Sequence, residues 1–282
     1  MMCQTDPNTQ LLNKNRLLFI HLPKTGGSTM HEIIKNYIFQ GDNDYLSVGN
    51  QEQVKQFQGL NFEQVSPYKV IAGHINFTIA KSKLGESIRQ FFTFTILRNP
   101  VSQSISLYQY ILQTPKHKQH SKVKEISFEE FIDSNYYTPN IQCKLISNQH
   151  SWKASLEILK NDFDCFGTLE NFDRIVAEVC RHFGKTVPSY EILNKSHKIV
   201  HQQAINYSLF EKILSRNEQD VKLYTIVKAI EEESQSRSTD ANSFQTKADR
   251  EPVFKKNLEL SRSRLLDFKQ DLEHYKTGLR AL

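Results

Sequence analysis

Short apolar runs alternate with stretches of helical periodicity along most of the chain. Residues 16–21, 68–72, 91–97 and 163–168 are compact runs of aliphatic and aromatic side chains, the pattern of strands buried on both faces. Between and after them, residues 28–39, 100–112, 128–134, 151–161 and 172–183 repeat apolar positions at helical spacing, and Gly184 closes the last one. Strands separated by helices need crossover connections, so the pattern predicts an α/β fold with a mainly parallel sheet covered by helices on both sides.

The pattern then changes. Residues 231–249 are polar and almost free of large apolar side chains, which predicts a connector. Beyond it Leu258, Leu265, Leu272 and Leu279 recur every seven residues, with Phe268, Tyr275 and Leu282 in a second register, the layout of one long amphipathic helix. The expected organisation is a catalytic-size domain over 1–230, a linker over 231–249 and a helix over 250–282. That helix either folds back on its own domain or pairs with a second copy as a homodimer.

Composition narrows the setting. Of 282 residues, 38% are hydrophobic and 24% charged, as in ordinary globular proteins. No apolar run reaches the length of a membrane span, and the first residues lack the hydrophobic stretch of a secretory signal, so a cytoplasmic protein is expected. Cys3, Cys143, Cys165 and Cys180 have no paired spacing, which predicts reduced thiols and no zinc site. A net charge of +5 suits an anionic substrate and is too small and too dispersed for a nucleic-acid partner.

The position of the positive charge matters more than its sum. The first strand runs into "HLPKTGGST", where Gly26 and Gly27 free the backbone to point N–H groups into a concavity. Ser28 and Thr29 then open a helix, whose dipole favours an anion. Lys24 adds a point charge, and Thr25 adds a hydroxyl. In a Walker A loop the lysine follows the last glycine; here it precedes both, so the loop is P-loop-like in its physics and not in its order. A second basic strand end stands in "FTFTILRNPVSQSISLYQY": the run 91–97 ends in Arg98, and Pro100 starts a helix that carries Ser106 two turns on. An ordinary nucleotide triphosphatase would place a magnesium-binding aspartate there, whereas Arg98 attracts a second phosphate and no metal is expected.

These two motifs together resemble the nucleotide-binding motifs of the sulfotransferases that use 3′-phosphoadenosine 5′-phosphosulfate (PAPS), in particular the branch of heparan sulfate 2-O-, chondroitin and related carbohydrate sulfotransferases. The likeness spans about residues 17–198. It implies that Lys24, Thr25, Gly26, Gly27, Ser28 and Thr29 hold the 5′-phosphosulfate, and that Arg98 and Ser106 hold the 3′-phosphate. It implies further that Lys24 stabilises the leaving group in an in-line displacement. The loop "LNKSHK" lies where family members close over the adenosine, so Lys195 and Ser196 join the binding set.

A base must take the proton of the acceptor hydroxyl, and His74, just beyond the run 68–72, is the candidate. Polysaccharide-sulfating relatives carry a second histidine two positions earlier, where this chain has Ala72. His21 and His31 are expected as surface or supporting groups. The acceptor, a carbohydrate or another hydroxyl-bearing molecule, should meet the loops 43–66 and 113–148, where Tyr108, Tyr136 and Tyr137 suit either a sugar face or a core. Two other functions fit the same motifs: a P-loop-related kinase or nucleotidase, and a non-catalytic binder of nucleotides or sulfated ligands.

Overall fold

A computed structural model describes residues 14–41, 43–193 and 206–237. Five parallel strands form one sheet among the described residues: β1 (Arg16–Ile20), β2 (Tyr45–Val48), β3 (Val70–Gly73), β4 (Phe91–Leu97) and β5 (Cys165–Thr168). Their spatial order is β2-β3-β1-β4-β5. Every pairing is parallel, with Ile20 opposite both Gly73 and Thr95. The α/β fold expected from the apolar runs is therefore present, and the four anticipated strands all exist, within two residues of their expected bounds.

Helices cover both faces, as a parallel sheet demands. Alternate strand residues divide the core. Leu17, Phe19, Val70, Ala72, Phe94 and Ile96 meet α1 (Gly27–Ile33) and α10 (Phe172–His182). Leu18, Ile20, Ile71 and Leu97 face the opposite layer, built from α2 (Gln51–Gly59), α4 (Phe77–Leu84), α8 (Ile141–Ser147), α9 (Trp152–Asp162) and α12 (Glu218–Arg237). A satellite core joins α5 (Pro100–Gln113), α6 (His120–Val123), α7 (Phe128–Asp133) and α11 (Tyr207–Arg216). The expected helix over 28–39 splits: α1 ends at Ile33 and residues Ile34–Ile38 widen into a π turn, with the Phe39 N–H reaching the Ile34 carbonyl at 2.9 Å.

Three expectations fail. The stretch 43–66, read as loop, contains β2, α2 and the short α3 (Phe62–Val65), because β2 is a four-residue, half-exposed edge strand too short to register as a run. Likewise 113–148 holds α6 and α8 beside α7, the helix expected over 128–134. Tyr108 and Tyr137 belong to the satellite core, their hydroxyls bonded to the Ile126 carbonyl and to Ser104 and Asn217. The connector does not start at 231: α12 continues to Arg237, and the Glu231 carboxylate is buried against Thr168 and Arg174. Cys143, Cys165 and Cys180 are buried and form no disulfide among the described residues. Cys3, Lys195, Ser196, residues 238–249 and the heptad segment lie outside the described residues.

Candidate active site

The order of the sheet puts the ends of three strands side by side, and the chain leaves β1 toward β2 but leaves β4 toward β5. Such a divergence opens a crevice at the carboxyl ends of parallel strands. Into it run the glycine loop after β1, His74 after β3 and Arg98 after β4.

The glycine loop is scaffolded through its carbonyls. The Leu22 carbonyl accepts from Thr25 Oγ1 at 2.8 Å, the Pro23 carbonyl from Gln103 Nε2 at 2.7 Å, and the Lys24 carbonyl from Arg98 Nη1 at 2.8 Å. No backbone carbonyl among the described residues receives the N–H groups from Lys24 to Ser28, so the loop presents donors. Lys24 has φ 65° and Gly26 φ 81°, a left-handed pair of positions that turns successive N–H groups to one side. Holding a lysine there costs about 1 kcal/mol, which the three side-chain bonds offset. The glycines are also required by packing. A Cβ on Gly27 would stand 1.7 Å from His21 Nε2, and one on Gly26 2.9 Å from Leu169 Cδ1.

Lys24 Nζ lies 4.0 Å above the ring of Tyr110, a cation–π contact. Burial and then the Arg98 charge push its pKa down to about 8. The Thr25 hydroxyl is committed to Leu22, leaving its N–H for a ligand. Ser28 is exposed at the start of α1, and Thr29 is buried, its Oγ1 accepting from the Leu193 N–H at 3.0 Å. Ser106 is half-buried on α5 between Gln103 and Tyr110, which both touch the glycine loop, so the helical spacing puts it on the same face.

Arg98 is clamped at its backbone. Gln142 Oε1 accepts its N–H at 3.0 Å and Gln142 Nε2 donates to its carbonyl at 2.8 Å. Gln142 is itself fixed by two helix ends that cap each other. Asp220 accepts from the N–H groups of Gln142 and Cys143 at 2.9 and 2.8 Å, and Asn140 Oδ1 accepts from those of Gln219 and Asp220 at the start of α12. Burial lowers the Arg98 pKa from its usual value, opposed by Glu170 and Tyr224.

His74 is oriented by two backbone contacts. Its N–H reaches the Val48 carbonyl at 2.7 Å, and Nδ1 lies 2.7 Å from the His21 carbonyl. A carbonyl only accepts, so Nδ1 carries the proton and Nε2 keeps a lone pair in the neutral ring. Burial holds the His74 pKa below the ordinary histidine range, opposed by that hydrogen bond and reinforced by Lys24.

Of the two roles expected for His21 and His31, surface or supporting, the geometry shows the second. The rings of His21 and His74 stack with centroids 4.3 Å apart, and His31 meets His21 edge-on at 5.3 Å. His31 Nδ1 lies 2.6 Å from the Tyr45 hydroxyl. Burial and His74 push the His31 pKa down to about 4. The rings stack instead of converging, and no group of three metal-ligating side chains among the described residues is arranged around one point.

A family model described as "Sulfotransferase family" matches residues 8–275. The chain belongs to the sulfotransferase family. No curated protein matches the chain. Among solved structures, mouse sulfotransferase SULT7A1 complexed with PAP is 16% identical, covering 75% of this chain and 68% of that one at a TM-score of 0.36. A sulfotransferase moves a sulfuryl group to an acceptor, which does not accord with the kinase or nucleotidase alternative. Sequence reasoning missed Gln103, Tyr110, Gln142 and Asp220, whose contributions arise only through contacts distant along the chain.

Proposed function

We propose that this sulfotransferase transfers the sulfuryl group of PAPS to a hydroxyl on a carbohydrate or glycoconjugate. The observation that carries the reading is the approach of two half-buried cations at neighbouring strand ends. Burial first and the Arg98 charge second depress the lysine, and the loop between them offers N–H groups that no backbone carbonyl among the described residues accepts. A site of that composition is stabilised by an anion, and one with two cationic poles suits a ligand with phosphates at both ends.

In this reading the N–H groups of residues 24–28 and the Lys24 ammonium hold the 5′ end, and Arg98 with Ser106 holds the 3′-phosphate. Lys195 and Ser196 join them. PAPS supplies the sulfuryl group, the acceptor oxygen forming its new bond to sulfur as the bond from sulfur to phosphate breaks. Lys24 stands where negative charge develops on the leaving side, and its preorganised charge stabilises that change. His74 Nε2 takes the acceptor proton, and its low pKa keeps it deprotonated and ready at neutral pH. The resemblance of both motifs to the carbohydrate branch supports the acceptor class. The helix over 250–282 is proposed as a second-copy contact.

The test is transfer of labelled sulfate from PAPS to desulfated glycosaminoglycans, N-acetylglucosamine and 2-naphthol, with and without His74→Ala. Sugar labelling that His74→Ala abolishes is expected. Labelling of the phenol alone would overturn the acceptor class, and full transfer by His74→Ala would remove the base.

A further inference from the structure

The crevice contains a residue that the reading above does not use. His21 follows β1 directly, its N–H paired with the Gly73 carbonyl at 2.8 Å. Its ring stacks with Phe19 at 5.4 Å and 13° and with His74 at 4.3 Å and 29°. The edge of the same ring fills the space where Gly27 would carry a Cβ. One side chain therefore touches both the candidate base and the first residue of α1, while its own carbonyl takes the His74 Nδ1 proton.

We propose that His21 is a positioning residue, a wedge whose ring sets the glycine loop and the His74 imidazole in fixed relation to each other. The inference rests on His74 being the base. Two contacts from one residue define the His74 ring, the hydrogen bond fixing its tautomer and the stack fixing its plane. The Gly27 contact carries that placement to the N–H groups facing the donor. Such support matters because a shift of about 1 Å in a reacting group can lower turnover about 100-fold.

The ring also works as an uncharged plate. The titratable groups that face it are His74 after β3, His31 on α1 and Lys24 in the loop, with Tyr45 of β2 behind His31. Each of the first three disfavours a proton on His21, and burial disfavours it most. A plate that stays neutral excludes water from one face of His74 without adding charge beside Lys24.

The test reads nucleotide affinity and the titration of His74, so it needs no acceptor. Calorimetry with adenosine 3′,5′-bisphosphate and NMR titration of the His74 ring are run on the full chain and on His21→Ala, His21→Phe, Gly27→Ala and the Gly27→Ala, His21→Ala double variant. Removing the ring hydrates His74, so its titration in His21→Ala moves up toward the ordinary value of about 6.5, and nucleotide affinity falls about tenfold. His21→Phe restores the plate and returns the titration toward that of the unaltered chain. Gly27→Ala alone weakens the nucleotide at least about tenfold, because its methyl must displace the ring, yet adds less than about twofold once the ring is gone.

An unmoved His74 titration in His21→Ala, or independent effects of the two substitutions, overturns the wedge. If His21→Ala does not fold, as melting would show, Gly27→Ala carries the test: a His74 titration unaltered by the displaced ring overturns the inference. Loss of transfer in His74→Ala beside an unmoved titration in His21→Ala removes the wedge and leaves the base. Retained transfer in His74→Ala removes both.

Discussion

Two buried polar regions of this protein are built on opposite terms. Around Glu231 and Asp220, behind the sheet, the described bonds match each carboxylate fully. Glu231 accepts from the Thr168 N–H at 3.0 Å, from Thr168 Oγ1 at 2.6 Å and from Arg174 at 2.9 Å, and Asp220 caps α8. In the crevice, burial gathers Lys24, Arg98 and three histidines, and the charges nearest Lys24 are of its own sign. The first arrangement gives every carboxylate oxygen a protein donor, leaving Arg174 Nε without a partner, and stabilises the fold. The second brings like charges together, and an anion would stabilise it.

The contrast breaks if the two regions respond alike to truncation. Lys24→Ala should lower transfer at least about 1000-fold while the melting temperature holds or rises, since relief of desolvation and of repulsion by Arg98 outweighs the lost contact with Tyr110. Retained transfer, or a large loss of stability, would mean that Lys24 belongs to the structural class. Glu231→Ala should cost about 3 kcal/mol in denaturant unfolding, because Thr168 and Arg174 lose their acceptor, and should leave nucleotide affinity unaltered. A neutral effect would place Glu231 among incidental surface pairs.

Smaller effects sharpen the picture. Arg98→Ala should weaken adenosine 3′,5′-bisphosphate about 100-fold and adenosine 5′-phosphate less than about threefold, measured by calorimetry. Equal losses would assign Arg98 to the Lys24 carbonyl alone. The smallest effect is a pH dependence of stability. The Lys24 pKa is about 8 in the folded chain and 10.5 when unfolded, so between those values the unfolded chain binds more protons and stability rises with pH. Below about pH 8 the penalty is present in full. Lys24→Met should flatten that rise in ligand-free unfolding curves.

Much of this was legible in the sequence, and the part that was not has a physical cause. Residues 91–97 are apolar but for Thr93 and Thr95 because β4 is an interior strand covered on both faces, so its bounds could be read directly. Two glycines after a lysine, and an arginine at a strand end before proline, disclosed the loop and the second pole because backbone chemistry demands those residue types locally. β2 stayed hidden as a short edge strand whose pairing depends on β3. The Gln142 clamp on Arg98 joins positions 44 apart and rests on helix caps between positions nearly 80 apart. The stack of His21 on His74 follows from β1 and β3 being neighbours, which no spacing along the chain reveals. Glu231 looked like the start of a polar connector because its partners, Thr168 and Arg174, lie far upstream.

The most direct measurement compares the affinity of adenosine 3′,5′-bisphosphate without metal against that of ATP with magnesium, on the full chain and on Arg98→Ala. An unsatisfied crevice with two cationic poles predicts tight binding of the bisphosphate, weaker binding of ATP, and loss of the preference in Arg98→Ala. Equal or tighter binding of ATP with magnesium, or a preference that survives Arg98→Ala, would contradict it.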